Sequence, residues 1–355
     1  MMNACQLTNH IVESGMGNSS FPHFPLAELH AHLGASIDLG IYWQIAHEQG
    51  IRLPTKDYHE FIEFVTLSEN SKSTLNDWLN KVLHPVLEPI SSGTHAVDRG
   101  TYEIFSGAYR SNNITLLELR NNPMKHNHNG QIDLDYVILA MLRGMERALL
   151  EYPMLSAGLI FCMAREFSYE QNEVIVEKAI KYHKRGVVAI DFAGPANPNF
   201  HFEDYKELIK KAKAAGLRVT SHSGEVKEAD DMWEALEFVE PDRIGHGIRA
   251  AYDKELMREL VKRDVVLEVC PMSNLVTQAV ENWDEIAFIL RTFIENNVKF
   301  TINTDWPETI VDAHLRKQYS TLLEKSILTA EELERCNKIA FESSFIPGKG
   351  LEPYL

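Results

Sequence analysis

The sequence predicts an α/β fold, a (β/α)8 TIM barrel with a helical insertion after its first strand. Eight short apolar runs alternate with segments of helical period along 355 residues. Strand–helix alternation implies parallel pairing, and eight strands in a chain of this length favour a closed barrel over an open doubly wound sheet. The runs also end repeatedly in His, Asp, Glu or Arg, and the C-terminal strand ends are where such a barrel carries its chemistry.

The first run is Leu-Ala-Glu-Leu-His-Ala-His-Leu at residues 26–33. Side chains at i and i+2 of an extended strand share a side, so His30 and His32 project together. Residues 38–49 read as a helix with Leu39, Tyr42, Ile45 and Ala46 on one face. Residues 56–112 are mostly helical in pattern, with an N-cap-like Ser-Thr-Leu-Asn at 73–76 and an apolar set of Trp78, Leu79, Val82 and Leu83. The long crossover 36–112 is the expected wall or lid of a substrate pocket.

Strands are then expected at residues 114–120, 157–163, 186–192, 217–222, 243–246, 265–270 and 299–303. Helical segments are expected between them at 168–185, 203–215, 253–262 and 283–296. Residues 1–20, rich in Asn, Ser and Gly, read as a loose tail, and residues 21–355 as one domain without internal repeat.

Composition narrows the classes of partner. The formal charge is 35 minus 51, or −16, with no basic cluster beyond short pieces, which argues against nucleic acid or anionic membrane as the main partner. No apolar run approaches the ~20 residues that span a bilayer, and the N-terminus lacks a signal-peptide pattern. Cys5, Cys162, Cys270 and Cys336 are scattered without CxxC spacing, as in a reduced, cytoplasmic chain.

His30, His32, His222 at the end of the fifth strand and Asp305 after the eighth form a candidate metal set. In a closed barrel the first and eighth strands are neighbours and the fifth faces them. Three imidazoles and a carboxylate suit Zn2+, with Fe2+, Co2+ or Mn2+ as alternatives. In Ser-His-Ser-Gly-Glu at 221–225, Gly224 permits a sharp turn and Glu225 follows the candidate ligand. A carboxyl in an apolar barrel mouth has a raised pKa and serves as a proton donor, whereas the plain alternative is a first-turn helix glutamate. His246 lies between two glycines, where close approach to substrate is possible. His126 and His128 form a second His-x-His in a polar loop and read as solvated or at most pocket-lining. Glu308 reads as the start of a helix, and Arg120 as either a partner of a buried carboxylate or a substrate contact.

The chain resembles the adenosine deaminase family of the amidohydrolase superfamily. The matching pieces are Glu-Leu-His-Ala-His-Leu at 28–33, Val-Ala-Ile-Asp-Phe-Ala-Gly at 188–194, His-Ser-Gly-Glu at 222–225 and Arg-Ile-Gly-His-Gly at 243–247. Glu-Val-Cys-Pro-Met-Ser-Asn at 268–274 and Asn-Thr-Asp-Trp-Pro at 303–307 complete the set, in the family's order. The resemblance implies a hydrolase of purine metabolism with one zinc held by His30, His32, His222 and Asp305. It implies that Glu225 protonates a ring nitrogen, that His246 orients the attacking water, and that the Gly194 N–H meets another ring nitrogen. Water then adds to the amino-bearing carbon of a 6-aminopurine nucleoside or base, and ammonia leaves.

Two positions depart from the family's pattern. The aspartate that commonly follows the metal-binding one is Trp306, and the one that follows the first motif is Gly34. Indole stacks or donates but cannot accept as a carboxylate does. Deamination is thus expected of an amino-heterocycle or modified adenine nucleoside, with adenosine itself as the open point. An amide or lactone hydrolase on the same scaffold would not need the acid at Glu225, and a binding-only relative would commonly lack a ligand or that acid. A cytidine-type zinc deaminase is excluded, because His-Phe-Glu at 201–203 is followed by no paired cysteines.

Overall fold

The computed structural model describes residues 24–347 apart from 72, 73, 128, 129, 131, 196, 227 and 228. The tail expected at residues 1–20, Ser73 and His128 therefore lie outside the described residues. Eight parallel strands form one sheet in sequence order: β1 (Leu26–His32), β2 (Ile114–Asn121), β3 (Ser156–Ala164), β4 (Val187–Ala193), β5 (Arg218–Ser223), β6 (Arg243–His246), β7 (Val266–Val269) and β8 (Phe300–Ile302). Each expected strand is present to within two residues at either end. Residue 305 draws the two edges together. Asp305 donates its N–H to the His30 carbonyl at 2.7 Å, and the His32 N–H donates to the Asp305 carbonyl at 3.0 Å. The barrel is thereby nearly closed at the rim where the candidate ligands sit.

Helices cover the outside, as expected from burial of β2 and β3 along their whole length. The helix expected at 38–49 is Leu39–Glu48, with Asp38 accepting from the Ile41 N–H as its cap. The segment 168–185 begins with a capping box between Ser168 and Gln171, and its α-helix runs Tyr169–Tyr182 before a tighter turn. The insertion is helical. Thr74 caps Leu75–Trp78, and a π-helical stretch follows at Leu79–Leu87, leading directly into Glu88. A long helix, Thr94–Asn112, then returns the chain to β2.

The barrel interior is not purely apolar. Arg120 donates to Asp191 and Glu268, and Arg243 donates to Glu268 and Glu118, all fully or almost fully buried. An isolated ion at that depth is prohibitively unfavourable, so these charges stand only as a mutually paired layer. The final segment joins the same layer, because Ser344 Oγ and the Phe345 N–H donate to Glu118. Arg120 thus takes the first of its two expected roles, as the partner of buried carboxylates.

Of the two readings of His126, solvated or pocket-lining, the second holds: it is buried at 4% exposure beside Ser91, under the helical insertion, and lines a cavity at the strand ends. One bland expectation is corrected. Glu308 starts no helix. It sits in a turn, and the next helix begins at Leu315 because the chain first pairs Leu67 with Ile310. Among the described residues no helix is long and apolar enough to cross a membrane.

Candidate active site

The strand ends bring the four candidate ligands to one place. His32 Nε2 lies 3.1 Å from His222 Nε2 and 3.3 Å from Asp305 Oδ1. His30 Nε2 lies 3.6 Å from the same carboxylate oxygen, and it is buried with no hydrogen-bond partner. The ligand-type nitrogens of His30, His32 and His222 all fall within 4.8 Å of one another. An orphaned imidazole nitrogen in a dry site is unfavourable, and one cation would satisfy it together with its neighbours.

The surrounding carboxylates fix which nitrogen of each ring faces inward. His30 Nδ1 donates to Glu268 Oε2 at 2.8 Å, and His222 Nδ1 donates to Asp191 Oδ2 at 3.0 Å. Burial pushes the Glu268 carboxyl up, but Arg120 and Arg243 outweigh it and hold the group at about 2. Burial opposes ionisation of Asp191 likewise, yet His222 and Arg120 keep it below the usual carboxylate range. Each Nδ1–H is therefore held by an ionised acceptor, leaving the Nε2 lone pair for the centre. Burial, with Arg120 and neighbouring histidines, pushes His30 and His32 well below their ordinary range and keeps them neutral. Asp305 Oδ2 accepts from Ser273 Oγ at 2.6 Å.

Two left-handed backbone positions aim the last polar groups. His246 has φ 60° and Asp305 φ 65°, conformations a non-glycine residue holds only when the surroundings enforce them. Asn274 Nδ2 donates to His246 Nδ1 at 2.9 Å, which puts the ring proton on Nε2, 3.6 Å from Glu225 Oε2. Burial lowers His246 to about 4, so it is a neutral donor. Burial raises the Glu225 carboxyl against the pull of His222 and Arg165. Glu225 lies in the bend after Gly224, and the following helix starts only at Asp230, so the first-turn alternative does not hold. Gly194 has φ 100°, and a Cβ there would strike the Glu166 carboxylate, so the sharp turn needs glycine.

His32, His222, Glu225, His246 and Asp305 line one cavity of about 330 Å³, a size suited to a small molecule. Gly34, Gly194 and Trp306 line it too. Trp306 is buried at 5% and stacks on Trp78 of the insertion. Sequence reasoning did not assign roles to Asp191, Glu268, Asn274 and Ser273. Asp191 and Glu268 were visible as polar strand ends, whereas nothing local marked the partners from other strands and helices.

The family model for adenosine deaminase matches residues 25–352. An adenosine deaminase from Shewanella denitrificans is 30% identical over 329 residues, covering 91% of this chain and 94% of that protein. Among solved structures, an adenine deaminase from Arthrobacter aurescens superposes with a TM-score of 0.77 at 23% identity, over 91% of this chain and 94% of that one. A zinc-bound amidohydrolase from Burkholderia ambifaria superposes with a TM-score of 0.79 at 20% identity, over 94% of this chain and 91% of that one.

Proposed function

Since the chain belongs to the adenosine deaminase family and is a hydrolytic deaminase, we propose that it acts on a 6-aminopurine nucleoside or base, with zinc held by His30, His32, His222 and Asp305. The observation that carries the metal assignment is the buried, unpartnered Nε2 of His30, grouped with two further imidazoles and a carboxylate. A second grouping joins His30 with His246 and Cys270, but the first has a further donor at hand, Asp305 Oδ1 lying 3.6 Å from His30 Nε2 and 3.3 Å from His32 Nε2. When bound, zinc supplies the Lewis acidity that makes water a strong nucleophile near neutral pH.

The chain's own groups handle the protons and the orientation. Glu225, whose carboxyl burial raises above its ordinary range, donates to the ring nitrogen beside the amino-bearing carbon. His246 donates Nε2–H to the attacking oxygen and orients it. Asp305, beside the nucleophile, accepts a proton as the water oxygen adds to carbon. The Gly194 N–H meets a second ring nitrogen and fixes the heterocycle's orientation. The amino group, once protonated, departs as ammonia, and the carbon is left as a carbonyl. Trp306 borders the ring where a carboxylate is absent. No covalent intermediate with the protein is required.

The working site is the cytoplasm, in keeping with Cys162, Cys270 and Cys336 being free and buried. Small purine-type molecules are the partners, rather than nucleic acid or membrane, in keeping with the formal charge of −16. An ammonia-release screen over adenine, adenosine, their 5′-modified and N6-alkyl forms, and pterins tests the reaction. Turnover of at least one 6-aminopurine with one divalent ion per chain is expected. Absence of turnover across the panel by metal-replete protein would overturn it.

A further inference from the structure

The wall of the cavity formed by the insertion carries a carboxylate with no catalytic duty. His84 and Glu88 are one helical turn apart at the end of the π-helical stretch, with His84 Nδ1 3.0 Å from Glu88 Oε2. Both line the cavity with Gly34. Wide π-type turns frequently occur at functional sites, where they turn a side chain toward a ligand. Gly34 leaves room for this segment, because a Cβ there would come within 3.2 Å of Leu83 Cδ1, one residue before His84. Tyr42 Oη donates to the Gly34 carbonyl at 2.9 Å and secures the floor beneath it.

Position in the barrel defines what this wall faces. Glu225 follows β5, on the far side of the ring from β1 and β2, while Glu88 and Lys125 belong to the segments after β1 and β2. A purine with the ring nitrogen beside its amino-bearing carbon at Glu225 would extend a substituent on its five-membered ring across the cavity toward Glu88. Burial opposes ionisation of Glu88, but the His84 hydrogen bond and the charges of Lys125, His84 and His126 outweigh it, so the group is an anion. The cations nearby have carboxylate or carbonyl partners, although the buried Arg165 Nε has none. Lys125 Nζ donates to Glu166 at 2.7 Å, and Arg165 donates to the His222 carbonyl and lies 3.9 Å from Asp231. An acceptor-only carboxylate at this wall suits hydroxyl donors and repels a phosphate brought against it.

We propose that Glu88, positioned by His84, reads a hydroxylated, sugar-like substituent on the aminopurine, so that the enzyme selects neutral nucleosides over free bases and nucleotides. This inference rests on the deaminase reading above and names its substrate class. Glu88 would supply from the insertion the carboxylate that neither Gly34 nor Trp306 provides.

The test compares kcat/KM for adenosine, 5′-deoxyadenosine, 2′,3′-dideoxyadenosine, adenine and AMP in the metal-replete wild type, Glu88→Gln and His84→Ala. The wild type is expected to favour adenosine at least about tenfold over one deoxy analogue and over adenine and AMP. Loss of a hydrogen bond to a charged group corresponds to about a 10- to 100-fold drop, so Glu88→Gln should lose adenosine turnover by that factor. Its adenosine-to-deoxy ratio should collapse toward one, and its AMP-to-adenosine ratio should rise. A misfolded variant would lose all substrates in parallel, whereas this inference requires the ratios to move. Retained ratios in Glu88→Gln, or a wild type that prefers adenine or AMP, would overturn it while leaving the deaminase reading intact. A wild type inactive on every aminopurine would instead remove the deaminase reading on which it stands.

Discussion

Trp306 stacks on Trp78, with ring centroids 4.3 Å apart and 24° between the ring planes. The first follows a residue at the catalytic rim and the second lies in the insertion, 228 positions earlier by subtraction of the residue numbers. Trp78 Nε1 donates in turn to the Val65 carbonyl at 3.3 Å, so the pair ties the pocket wall to the barrel.

Trp306→Ala is expected to destabilise the protein by about 3 to 5 kcal/mol, from lost burial and the cavity left behind. Trp306→Phe should retain part of the stacking and fall well short of that loss. Urea unfolding of the two variants checks the order. Equal stability of Trp306→Ala and wild type would show that the stack contributes nothing.

Glu268 holds His30, Arg120 and Arg243 at once. Glu268→Gln leaves two buried guanidinium groups short of charge, so a loss of about 3 to 5 kcal/mol is expected. Metal affinity should also weaken, by about 10- to 100-fold, because the His30 ring loses its ionised acceptor. Competition with a chelator of known affinity measures the second effect separately from the first. Unchanged affinity would mean that Glu268 serves only the charge layer.

Glu225→Gln keeps the shape of the acid and removes its proton supply. A fall in kcat of about 10²- to 10⁴-fold is expected, with metal content unchanged. Because burial raises the Glu225 carboxyl, its acid form persists above the ordinary carboxylate range, and kcat should decline as pH rises through that raised value. Single-turnover rates across pH check this, and a Glu225→Gln enzyme with wild-type kcat would exclude the proton-donor role.

Glu308 supplies a pH effect on stability. Burial, reinforced by Asp38, raises its carboxyl to about 7 from an unfolded value near 4.5. The folded protein therefore holds a proton that the unfolded chain has lost between those values, and this group's contribution falls as pH rises from about 4.5 to about 7. Glu308→Gln should raise the melting temperature more at pH 8 than at pH 5. A pH-independent difference between the two proteins would contradict the shift.

Much of the site was legible along the chain because barrel geometry makes strand ends converge. His30 and His32 share a face by strand alternation, and Glu225 follows a ligand by three residues. The insertion resisted the same reading. Its π-helical stretch carries no period that announces it, and the choice between a solvated and a pocket-lining His126 depends on a covering from residues far away in sequence. Glu308 was misassigned for a related reason, since a turn pinned by the Leu67–Ile310 pairing delays the helix.

The sequence by itself determined the eight-strand alternation and the ligand-type residues at the strand ends, because periodicity and residue chemistry are local properties. Only the tertiary structure decided that Asp191 and Glu268 orient the imidazoles, that Trp306 stacks on Trp78, and that Glu88 faces the cavity. Those relations join side chains on different elements, and their distances exist only once the closed sheet and the packed insertion bring distant residues within a few ångströms.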